Sequence, residues 1–418
     1  MKKVCTIVVI MIVMLSGSLV MVPGEVSDGK SNQDFDDVTA GIKCANNDDG
    51  TEDETEDETE EINVDDLLDE LDISRLNEYF DSMSEKEKAL FGSGLKEWLG
   101  KVARGEFGFE YSSFVKYLLS TLGGSVAEVL PILLSIVAVA VTISFIGGIK
   151  GGFSSKSTDT IVSFAGVTLV SVLILIEIYG AISDVRSMVT SIRDQMEIVF
   201  PVLFTLMSAL GAGGSIAVYQ PAVAVLAFSV TELVSSIALP ALIVTIVFSV
   251  VGNLSGTVKL GGAAKFCVSA AKWILYTTFF LFLAFLSVQG ITAAIYDNVS
   301  VRAAKFALSK YVPVIGGYLS EGFNVILAGS VLIKNAVGMT AVLILLMTVV
   351  PTLLKIIVVS LSLKLAGAIT EPFEGGKITS LLGSVSNAVN LLIAVVCGLA
   401  FLYFIFLILL IASGNLVL

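Results

Sequence analysis

Five stretches of this chain run for about twenty residues or more with almost no charge: Val129 to Ile149, Ile161 to Ile182, Ala222 to Val251, Trp273 to Tyr296 and Ala388 to Ile411. A sixth, Met339 to Leu361, contains Pro351. About twenty helical residues cross the roughly 30 Å hydrocarbon core of a bilayer. Lipid offers backbone amides no hydrogen-bond partner, so each run that crosses must be helical. The expected fold is therefore an all-α multi-pass membrane protein with about six full spans. Mean hydropathy of +0.90, with 55% hydrophobic and 15% charged residues, excludes a soluble globular domain of this length. Pro351, and Pro240 in the third run, should kink their helices, because proline removes one hydrogen bond and clashes with the preceding turn.

The formal net charge is −13, but residues 25–70 hold 19 of the 38 acidic side chains and only Lys30 and Lys43 as bases. That segment alone carries −17, which leaves +4 for the rest. The acidity is a local tail and implies neither a nucleic-acid partner nor an acidic substrate. There is no histidine, so the commonest general base and most zinc chemistry are missing. Cys5, Cys44, Cys267 and Cys397 stand alone, without metal-ligand or disulfide spacing. No phosphate-binding loop, nucleophile elbow or zinc-protease motif occurs. The sequence thus implies no catalytic residue, metal, cofactor or small-molecule substrate; the partner it does imply is the lipid bilayer.

Residues 1–24 read as a signal peptide or signal anchor, with Lys2 and Lys3 before an uncharged run from Val4 to Val22. Residues 25–62 form an acidic linker ending in the TEDETEDETEE run at Thr51 to Glu61, too polar to offset the entropy of ordering. Residues 63–125 read as a small helical extracytoplasmic domain. There, Leu76, Tyr79 and Phe80 recur at helical spacing, and Ser84 with Glu87 forms a capping box. The polytopic domain, 126–418, begins with the span at 129–149 and ends with the span at 388–411.

Between those two spans the sequence suggests an internal duplication, unit one at about 160–272 and unit two at about 273–387. Asp184, Pro201 and Pro240 have counterparts at Asp297, Pro313 and Pro351, offset by 113, 112 and 111 residues; Glu177 faces Gln289 and Lys265 faces Lys377 at 112. Each unit holds one short apolar piece interrupted by glycine or proline, Val202 to Val218 and Val312 to Ile333. Such pieces in corresponding positions point to a substrate path. Pro201, Gly211, Gly213 and Gly214 mark the first; Pro313, Gly316, Gly317, Lys334 and Asn335 mark the second. If both re-enter without crossing, the C-terminus lies outside with the N-terminal domain; if both cross, it lies inside. The excess of lysine on cytoplasmic loops slightly favours re-entry. Three polar residues fall within or beside apolar runs: Glu177, Glu232 and Gln289. A carboxylate there either lines an ion path or bonds across helices near an interface.

The stretch Arg302 to Gly338 resembles the stage III sporulation protein AE family of endospore-forming bacteria. The resemblance rests on Arg302, Lys305 and Phe306, on Val312-Pro-Val-Ile-Gly-Gly317 and Ser320, and on Ser330 with Lys334-Asn-Ala-Val-Gly338. It extends upstream through Leu95 to Leu99 and leaves out the acidic run. It implies a permease-like, non-enzymatic membrane subunit of the channel or secretion-like complex joining mother cell and forespore, required for late forespore gene expression. It implies a place in the mother-cell-derived membrane around the forespore, with other stage III sporulation membrane proteins as partners. A stand-alone ion-coupled transporter built on Glu232 and a membrane scaffold for complex assembly are the alternatives.

Overall fold

The computed structural model describes residues 68, 73–92, 94–106, 111–149, 156–254, 260–311, 316–372 and 376–413, and gives the backbone alone at 290–311 and 316–326. The leader at 1–24 and the acidic linker at 25–62 lie outside the described residues.

Among the described residues every regular element is helical. Three short helices come first: α1 (Ser74–Ser82), α2 (Glu85–Lys88) and α3 (Leu95–Ala103). The capping box at α2 forms, with Glu87 accepting from the Ser84 backbone at 2.8 Å. Phe80, Phe91 and Trp98 meet edge to face, with ring centroids 5.3 Å apart in each pair, and tie the three helices together.

Six apolar helices long enough to cross a membrane follow. They belong to α4 (Tyr111–Ile149), α5 (Lys156–Ala209), α7 (Leu239–Leu254) with the π-helical turn Val234–Ala238 before it, α8 (Gly261–Tyr311), α9 (Gly316–Thr370) and α10 (Lys377–Ala412). A shorter helix, α6 (Gly213–Leu233), lies between α5 and that turn. Pro240 follows the π-helical turn, as expected where a proline disturbs the hydrogen-bond ladder. Pro351, by contrast, is absorbed inside an unbroken α9.

The helices are longer than a bilayer is thick. α5 has 54 residues and α9 has 55, so each is about 80 Å long against a core of roughly 30 Å. α9 and α10 are antiparallel at the centre of the bundle, since Gly338 meets Ile411 and Gly367 meets Leu382. α10 is the most thoroughly buried helix, with Leu391, Leu392, Val395, Val396, Tyr403 and Phe406 all shielded.

What the outer helices expose changes along their length. Ile161, Phe164, Leu169, Val172, Ile176 and Tyr179 of α5 face outward, as do Leu130 and Phe145 of α4, Val247 of α7, Phe280 of α8 and Leu361 and Leu365 of α9. This is a lipid-facing belt, because no soluble surface carries so much contiguous apolar area. Beyond Asp184, α5 exposes Arg186, Thr190, Arg193, Asp194 and Glu197, while Val185, Met188, Val189, Ile192 and Met196 turn inward at helical spacing.

Candidate functional site

The junction between the lipid belt and the polar-faced half is where the chain concentrates its interior polar chemistry. Lys355 of α9 reaches Glu128 of α4 at 2.7 Å and Asp184 of α5 at 2.9 Å. Glu177, about two turns earlier on α5 and 91% shielded, lies within electrostatic reach of all three. Three carboxylates thus surround one ammonium, so the cluster carries excess negative charge when all are ionised. The two ion pairs tie α4 and α5 to α9 at one level of the bundle.

Above this cluster a second polar line crosses from the small domain to α9. The buried Gln195 amide of α5 donates to the Tyr79 hydroxyl at 2.8 Å and to Thr348 Oγ1 at 2.5 Å. Burial pushes the Tyr79 hydroxyl above its ordinary value near 10, against the opposing pull of Gln195 and Thr348. Trp98 Nε1 of α3 donates to Thr340 Oγ1 at 3.2 Å. These bonds anchor the small domain to the same end of α9 that meets the C-terminal end of α10. On the lipid-belt side of Lys355, Ser360 meets Ser386 at 3.2 Å and Asn390 at 3.1 Å, joining α9 to α10.

The residues singled out from sequence divide between several places. Lys334 is fully buried, its ammonium donating to the Ser413 carbonyl, and Asn335 beside it is half-buried. Ser330 is buried, and Gly338 lies where a Cβ would come within 2.3 Å of Ile411 Cγ1. The block Ser330 to Gly338 therefore seats the end of α10. Gly211 adopts φ +73° in the corner between α5 and α6; Gly211 donates to Ser208 and Ala212 to Met207, the bonding of a glycine-terminated helix. Gly213 opens α6 and Gly214 is half-buried in its first turn. Phe200 before this corner and Tyr219 after it both stack on Phe406, so α5 and α6 form a hairpin against α10.

Pro201 sits on the polar face inside α5, whereas Pro313 falls at 312–315, outside the described residues. Arg302 and Lys305 lie on the backbone-only part of α8, and Gly316 and Gly317 begin α9. Glu232 is exposed just before the π-helical turn, accepting from Ser236 Oγ. Gln289 is half-buried on α8 with an unpartnered Oε1. Glu177 alone of the three intramembrane polar residues joins the charge cluster.

Lys355 and Glu128 were missed by the sequence reading. The available signal was a lone lysine inside the apolar run Met339 to Leu361, since a charge at that depth requires a partner.

Fold and site define a polytopic helical membrane protein whose small helical domain is bonded to its central helix. The family model for stage III sporulation protein AE matches residues 93–414, beginning at the threshold of α3 and ending at the close of α10, and the chain belongs to that family. Stage III sporulation protein AE of Bacillus subtilis (strain 168) is 24% identical over 347 residues, covering 83% of this chain and 87% of that protein. No solved structure matches the chain. Membership of this family ties the protein to sporulation.

Proposed function

We propose that this protein is a non-enzymatic, permease-like membrane subunit of a channel or secretion-like complex that joins mother cell and forespore, acting with other stage III sporulation membrane proteins. One observation supports a subunit over a self-sufficient transporter. Phe200, Tyr219, Tyr403 and Phe406 are buried and meet edge to face where α5, α6 and α10 join, so packed rings fill that junction. On this reading a conduit forms between this chain and its partners. The exposed position of Glu232 gives an ion-coupled carrier no interior carboxylate there.

Removing the protein from a spore-forming host tests the reading. The expected outcome is arrest after engulfment with failing forespore gene expression. Normal spores, or gradient-driven uptake into liposomes by the purified chain alone that Glu232→Gln abolishes, would overturn it.

A further inference from the structure

At the end of the bundle opposite the small domain, α7, α8 and α10 leave a cavity of about 500 Å³ between them. Lys265 and Lys272 of α8, seven residues apart and so on one helix face, line it together with Asn253 of α7 and Ser384 and Asn387 of α10. Among the described residues, no acidic side chain lines it. The cavity opens to the surface, and Phe248, Leu260 and Val268 line it beside these polar groups. Positive charges at helix ends are common as topology determinants, but such lysines are solvated on a surface. Lys272 is instead half-buried in the cavity wall, with Lys265 exposed at its rim.

The mouth has the character of a membrane interface. Phe266 and Trp273 are 72% and 69% exposed beside the two lysines, and Val247 and Val251 of α7 face outward nearby. Aromatic side chains of this kind lie at headgroup depth. Ammonium groups supply charge, and the amides and hydroxyls of Asn253, Ser384 and Asn387 supply further donors, the set that recognises phosphate oxygens. Basic pockets between transmembrane helices bind anionic headgroups by this chemistry. Residue Gly261, the first of α8, also lines the cavity and turns the positive end of that helix dipole toward it.

We infer that this cavity is a binding site for a phosphate group, supplied by an anionic phospholipid headgroup or by soluble phosphate. The inference does not rest on the assembly proposed above.

The full-length protein in detergent, titrated with phosphatidylglycerol or phosphatidylcholine and read by native mass spectrometry, tests it. Saturable phosphatidylglycerol binding is expected, with phosphatidylcholine much weaker. About 1 kcal/mol per lysine makes Lys265→Gln/Lys272→Gln roughly 30-fold weaker. Lys265→Arg/Lys272→Arg should keep binding, and Ser384→Leu should reduce it by filling the void with both charges in place. Lys101→Gln, on the distant α3, should change nothing. A parallel titration with inorganic phosphate, read by thermal unfolding, separates the two sources. Stabilisation that the double glutamine variant abolishes assigns the site to soluble phosphate, and its absence beside lysine-dependent phosphatidylglycerol binding assigns it to lipid. Binding of neither probe, or binding unchanged in both the glutamine and leucine variants, overturns the site.

Discussion

One helix, α5, is built for two solvents. Its first half exposes Ile161, Phe164, Val172 and Tyr179; its second exposes Arg186, Arg193 and Glu197 and buries an apolar stripe. Both halves pack against the same central helix, α9. The difference lies only in what the outward face meets, hydrocarbon in one half and water in the other. The Lys355 cluster stands where the two meet, at the depth where a charge pair can still be partly hydrated. The lesson is that apolar length alone does not locate a bilayer in this protein. α9 and α10 are apolar far beyond thirty ångströms because other helices, rather than lipid, cover them.

The sharpest way to break this comparison is a charge on each half. Val172→Arg should cost about 3 kcal/mol of insertion on the translocon scale, whereas Thr190→Arg should cost nothing measurable. Equal effects on membrane integration would show that both halves face the same medium. Lys355→Met should lower unfolding stability in detergent by about 1 to 2 kcal/mol, less than a fully buried pair because Glu128 and Asp184 are 61% and 35% exposed, since it leaves them and Glu177 without their cation. Adding Asp184→Asn should restore part of that loss; no loss in the single variant would remove the cluster as a tie between α4, α5 and α9.

Gly338→Ala should destabilise by about 2 kcal/mol, since the new methyl meets Ile411, and Ile411→Val should recover part of it. A neutral result would mean that α9 and α10 yield at this contact. Trp98→Phe should cost about 1 kcal/mol through the lost bond to Thr340, seen as faster amide exchange in α3 with α10 unchanged. The smallest effect is on pH. Folding holds the Tyr79 hydroxyl protonated above its unfolded value, so its contribution is complete below about pH 10 and is lost as pH rises beyond it. Tyr79→Phe should flatten that alkaline loss of small-domain docking.

Much of this was legible in the chain. Six apolar runs foretold six membrane-crossing helices, and the family block foretold that Ser330 to Gly338 would be special. Its role as the seat for the end of α10 was not legible, because Lys334 finds its acceptor 79 residues away. Glu177 could be picked out as costly, but its neighbours Glu128 and Lys355 are 49 and 178 positions distant in the chain. Gln195 carried no signal at all, being one polar residue in an amphipathic stretch.

By itself, then, the sequence determined the class: too many apolar residues for any solvent but lipid, and helices wherever the backbone must satisfy itself. The tertiary structure alone decided which apolar surface meets lipid and which meets protein. It also placed the end of α10 beside Lys334 and turned the chain at residues 210–212, between α5 and α6. The physical reason is that hydrophobicity is blind to its partner. A leucine in a run reports only that water is excluded, whereas the contact of Phe406 with both Phe200 and Tyr219, on either side of the glycine-broken corner, exists only in the folded chain.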